Sequence, residues 1–143
     1  MNKDGIYAAI KQCENRIGSY NADVRTKEQE ISELTLLKQQ YVDIQEDAHY
    51  CLTGSRNSLY NSLFSCQTPR FLIGFCEHMQ DVLYGYESAK FLNKIQEIID
   101  TIDEAIHIRK ANIGHLKADV EYQYGLMNKY EMELKEIQKG EKV

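Results

Sequence analysis

Apolar residues recur along this chain at alternating steps of four and three. The longest such run spans residues 95–137: Ile95, Ile99, Ile102, Ile106, then Ile113, Leu116, Val120, then Met127, Tyr130, Leu134 and Ile137. Two positions in the rhythm are polar, Arg109 and Gln123, and no proline interrupts it. A heptad rhythm marks one face of a helix that needs a second helix to cover it. At 1.5 Å rise per residue the run predicts a helix of roughly 65 Å, more than a compact domain of this size requires.

The same rhythm opens the chain. From about Lys3 or Asp4 the seam reads Ile6, Ile10, Cys13, Ile17, Tyr20, Val24, Lys27, Ile31 and Leu34, with Lys27 the polar exception. After Leu34 the apolar positions shift to Leu37, Tyr41, Ile44, Ala48 and Cys51. Two successive steps of three predict a stammer, a local overwinding of the coiled coil. Gly18 lies inside this helix at a cost of about 1 kcal/mol against Ala, which packing of the stripe offsets.

Breakers follow. In Leu52-Thr53-Gly54-Ser55, Gly54 can end a helix in the left-handed conformation and Ser55 can cap the next. A short helix is then expected, with Leu59, Leu63 and Phe64 on one side. Thr68-Pro69 is a helix-start signal, and the residue before proline disfavours the α region. The helical pattern resumes at Phe71, with Tyr84-Gly85-Tyr86 as a bend, and Gly140 is expected to end the last helix near Lys139.

The predicted fold is all-α: one domain over residues 1–143, an elongated antiparallel helical hairpin. Its coiled-coil stem pairs helices at about 4–51 and 92–139, so that Ile6 lies near Ile137 and Cys51 near Leu92. A short helical head at about 52–91 forms around the turn at Leu52, Thr53 and Gly54. Two helices alone leave much apolar surface open. Tyr7, Leu36, Val42, Ile98, Ile108 and Tyr124 lie off the main stripes and are the candidate partner-binding residues. Charges placed at Ile113 and Val120 are expected to unfold such a hairpin.

Composition narrows the class. The chain has 143 residues, 27% charged and 43% hydrophobic, with one proline and no tryptophan. No apolar run approaches the roughly 20 residues that span a bilayer, so no membrane insertion is expected. The first residues lack the apolar core of a signal peptide, which predicts a cytoplasmic chain with reduced cysteines. A net charge of −5 argues against nucleic acid, which needs a basic face.

Candidate chemistry is sparse. His49, Cys51, Cys66, Cys76 and His78 could meet in the head as zinc ligands. Their H-x-C and C-x-H spacings, however, put each pair on opposite sides of a helix. Glu104-Ala105-Ile106-His107 is a single Glu-x-x-His where carboxylate-bridged metal bundles use two. No nucleophile elbow or glycine-rich phosphate loop occurs. Neither catalytic residues nor a cofactor or metal are therefore expected. Ten tyrosines are more informative. Tyr7, Tyr20, Tyr41, Tyr122, Tyr124 and Tyr130 line the stem, and Tyr50, Tyr60, Tyr84 and Tyr86 gather around the head. They either fill the edges of a narrow core or form an exchangeable interface.

Helix, then Leu52-Thr53-Gly54, then helix resembles the W-x-G helical hairpins of type VII secretion in Gram-positive bacteria. The whole chain, by its length, its two heptad-bearing helices, and Leu52-Thr53-Gly54-Ser55-Arg56 followed by the amphipathic stretch 59–64, resembles the YwqH-like small proteins encoded beside LXG-domain toxins. Leu52 stands where that superfamily has its tryptophan. The resemblance implies a targeting factor or chaperone that binds the helical N-terminal domain of an LXG toxin, a second small helical protein, or both, and is exported with its partner. The export pattern Y-x-x-x-[D/E] is missing: Tyr84 leads to Ser88, Tyr86 to Lys90 and Tyr130 to Leu134. The partner would then supply the signal. A homodimeric coiled coil with no secretion role, its register fixed by Lys27, Arg109 and Gln123, is the alternative.

Overall fold

The computed structural model describes the backbone of residues 2–63 and 70–141, and side chains over 2–61, 74 and 77–141. Three helices run in order: α1 (Lys3–Leu63), α2 (Arg70–Tyr84) and α3 (Tyr86–Glu141). Among the described residues only Asn2 and Gly85 lie outside them, and there is no strand. The fold is an all-α helical hairpin in which α1 packs antiparallel to α3. It comprises two compact units, Met1–Glu33 with Ile106–Val143, and Leu34–Ala105.

The first unit pairs the start of α1 with the end of α3. Asn2 caps α1: its Oδ1 accepts from the Gly5 N–H at 2.8 Å, satisfying one of the donors left open at a helix start. Ile6, Cys13, Ile17 and Val24 are buried at alternating steps of seven and four. Ile10, Tyr20, Lys27 and Ile31 fill the rhythm as half-buried residues. Opposite them, Ile113, Leu116, Val120, Met127, Tyr130, Leu134 and Ile137 are all half-buried, and Gln123 is buried. The antiparallel register is set by Lys3 Nζ to Glu141 Oε2 at 3.1 Å and Arg109 Nε to Glu30 Oε2 at 2.7 Å. Gly140 does not end α3, which runs on to Glu141.

The second unit holds the middle and end of α1, all of α2 and the start of α3. Ile95, Ile99 and Ile102 are its buried seam on α3. On α1 the inward positions are Leu34, Lys38, Tyr41, Gln45, Ala48 and Leu52, all half-buried, and then buried Leu59. These continue the four-and-three rhythm of the first 34 residues without a shift. The expected stammer is therefore not formed. Leu37 and Ile44 are exposed to 40% and 47%, and Cys51 is exposed too. Polar residues take the seam because each bonds across it. Lys38 Nζ reaches Asp103 Oδ1 at 2.7 Å, and Gln45 Nε2 donates to Gln96 Oε1 at 2.7 Å.

The turn expected at Leu52, Thr53 and Gly54 is not formed either. α1 passes through all three to Leu63 in one helix of 61 residues, and no described residue has positive φ. The reason lies on the far side of the segment. An unbroken helix brings Leu52, Arg56 and Leu59 close in azimuth, toward α2. Leu59 and Leu83 form a buried cluster against which Leu52 and Met79 pack. Arg56 donates through Nε and Nη2 to the Leu83 carbonyl, at 2.9 and 2.6 Å, and its guanidinium lies 4.5 Å from the Tyr84 ring centroid. A cation there satisfies a carbonyl orphaned at the end of α2 and complements the helix dipole. The break expected at Thr68-Pro69, and Phe64 and Cys66, lie outside the described residues.

The bend expected at Tyr84-Gly85-Tyr86 is present and separates α2 from α3. A Cβ at Gly85 would overlap the carbonyl oxygen of Asp81, so only glycine lets the chain close this tightly. The Ser88 hydroxyl donates to the Val82 carbonyl at 2.6 Å, closing another orphan of α2.

Glycine substitutions separate helix from bend. A Cβ at Gly18 or Gly54 meets nothing within 4 Å. Gly18→Ala and Gly54→Ala should each raise the unfolding free energy in urea by about 0.5–1 kcal/mol. Gly85→Ala should lower it by about 1–3 kcal/mol. A destabilised Gly54→Ala protein would restore the turn at 52–54.

Candidate interaction surface

Burial is incomplete in both units. The chain exposes 10629 Å², whereas folded monomers of its 16.6 kDa mass expose roughly 7600 Å². Tyr50, Tyr60, Tyr84, Tyr86 and Tyr122 are all more than half exposed. Tyr20, Tyr41 and Tyr130 are half-buried at seam edges.

The six residues expected to bind a partner divide between the two units. In the first unit Tyr7, Ile108 and Tyr124 are exposed. In the second, Leu36 is 68% exposed on the side of α1 opposite the seam, while Val42 and Ile98 are half-buried. Heptad phase puts Val42 on one flank of the second unit and Ile98 on the other.

Those two flanks differ in chemistry. Where Val42 lies, polar bonds lace α1 to α3: Lys38 to Asp103, Gln45 to Gln96, and Gln96 onward to Asp100 Oδ1 at 2.9 Å. The opposite flank is apolar and open. Leu37, Ile44 and Cys51 recur there every seven residues along α1, and Phe91 and Ile98 do so along α3. The register fixed by Gln45–Gln96 sets Ile44 level with Ile98, and Cys51 level with Phe91.

Two hollows run along this open flank. One, of about 260 Å³, is lined by Leu37, Tyr41, Ile98 and Ile102 with Lys94, Glu97 and Thr101. The other, of about 350 Å³, is lined by Ala48, Cys51, Leu52, Val82 and Phe91 together with Glu87 and Ser88. Lys94 pairs with Glu97 at 3.5 Å. The second unit carries ten acidic and five basic residues, the first twelve of each. The chain's net charge of −5 therefore belongs wholly to the unit with the apolar flank.

Sequence reasoning placed Leu37, Ile44 and Cys51 in the core because it followed the apolar residues. Following the rhythm instead would have put Lys38 and Gln45 inside, opposite Asp103 and Gln96. That polar complementarity in antiparallel register was the signal available.

Among the described residues, no three His, Cys, Asp or Glu side chains come together as a metal would need. His49, Cys51 and His78 are exposed, whereas the Cys66 and Cys76 side chains lie outside the described set. Among the described residues, a cavity of about 730 Å³ beside Thr53 and Gly54 offers hydroxyls, an amide and the Cys51 thiol, with no carboxylate, imidazole or amine. No described helix is long and apolar enough to cross a membrane.

Two polar seam positions of the first unit have different fates. Arg109 reaches Glu30, which also lies 4.0 Å from Lys27, so a short charged layer crosses the seam there. Gln123 is 5% exposed and its Oε1 has no hydrogen-bond partner. A buried unpaired acceptor costs stability.

The chain matches no family model, no curated protein and no solved structure.

Gln123→Met keeps the volume and removes the orphaned acceptor, so it should raise the unfolding free energy by about 1 kcal/mol. Arg56→Met should lower it by about 1–2 kcal/mol and speed hydrogen exchange at the end of α2. A neutral Arg56→Met would mean that solvent caps α2 equally well.

Proposed function

We propose that this chain is a non-enzymatic interaction protein: a targeting factor or chaperone that binds the helical N-terminal domain of an LXG-type toxin for type VII secretion in a Gram-positive bacterium. The observation that carries the reading is the apolar flank of the second unit, built at heptad spacing on two antiparallel helices and left open among the described residues. A surface of that pattern accepts another helix. Length and paired heptad helices support the secretion assignment through the resemblance to YwqH-like proteins. The unbroken helix at Leu52, Thr53 and Gly54 departs from the W-x-G turn, so the support comes from the long helices and not from that motif.

A homodimeric coiled coil is the competing reading. Charge weighs against it on this flank, because a second copy would bring five net negative charges against five. The reading also leaves the export signal to the partner, since this chain lacks Y-x-x-x-[D/E].

Co-expression with the helical N-terminal domain of an LXG toxin, followed by light scattering, tests the assignment. The expected product is a stable heteromeric complex. A homodimer that does not exchange with the toxin domain would favour the structural coiled coil instead.

A further inference from the structure

We infer that the open flank of the second unit takes one basic amphipathic helix, supplied by a partner protein. This rests on the reading above and says which surface, and which partner chemistry, is used. From Leu37 to Cys51 the apolar row on α1 spans roughly 21 Å, four helical turns. Ile98 and Phe91 form the facing row on α3. Two rows at heptad spacing on antiparallel helices leave a groove whose third occupant is a helix with apolar side chains at the same spacing.

Charge selects among such helices. The unit around the groove has ten acidic residues and five basic ones. Within the groove, Lys94 is paired with Glu97, and the second hollow adds the carboxylate of Glu87 to its lining. An incoming helix that carries Lys or Arg beside its apolar row gains complementarity, whereas an acidic helix or a second copy of this unit meets like charge. The other flank cannot compete, because its seam-edge polar groups are already bonded between α1 and α3.

The test uses the full-length chain and a synthetic helix-forming peptide of about three heptads, Leu at the seam positions and Lys beside them. Two control peptides carry Glu for Lys, or the same residues in scrambled order. The Lys peptide should bind at least tenfold more tightly than either control and weaken as salt rises. Ile44→Arg with Cys51→Arg changes two exposed groove residues and should cut that binding at least tenfold, with the thermal melt by circular dichroism unchanged. Leu36→Arg, on the opposite side of α1, should bind as the parent does. Equal binding of the Lys and Glu peptides, or full binding by the double variant, overturns the inference. An LXG helical domain held equally by the parent and the double variant overturns this site while leaving the chaperone reading intact.

Discussion

Two helices share only one seam, and this chain has more apolar surface than one seam can hide. That constraint governs what the fold can and cannot do. Each long helix carries a heptad row, and α1 and α3 cover those rows mutually within each unit. What lies a step to either side of the rows stays at the surface. The chain manages the two sides of its second unit differently. On one, Lys38, Gln45, Gln96 and Asp103 bond across and complete the surface in water. On the other, Leu37, Ile44 and Phe91 are exposed beside half-buried Ile98.

The polar seam residues make this asymmetry stable. An apolar residue at 38 or 45 would deepen the core but would weaken the discrimination between registers, since a heptad row of aliphatic residues packs almost as well after a seven-residue slip. Lys38 and Gln45 each have one partner at one level of α3. Arg109 with Glu30 does the same in the first unit. Gln123, buried with an unpaired oxygen, costs stability in the seam of the first unit and adds no bond across it. The hairpin therefore trades core stability for a fixed alignment, and a fixed alignment is what holds Ile44 level with Ile98.

Much of the fold was legible in the sequence. The helical class, the antiparallel pairing, the seam of α3 and the bend at Gly85 all follow from heptad spacing and one glycine. Local signals failed in two places, both where a distant contact outweighs them. At Leu34 to Leu37 the apolar residues suggested a phase change, but bonds to Asp103 and Gln96 hold Lys38 and Gln45 in the seam. At Leu52-Thr53-Gly54 the residues suggest a turn, but Arg56 and Leu59 contribute more from an unbroken helix that meets α2. The candidate surface was half legible. Its excess apolar residues were visible; which of them share a flank was not, because that depended on the phase of α1 after Leu34.

Photo-crosslinking in cells tests the central claim most directly. A photoreactive phenylalanine analogue would replace Ile44 or Phe91 on the open flank, and Leu36 or Ile108 elsewhere, with an LXG helical domain co-expressed. Crosslinks to that domain from positions 44 and 91, and none from 36 or 108, are the predicted result. Crosslinks from 36 or 108 with none from 44 and 91 would contradict it.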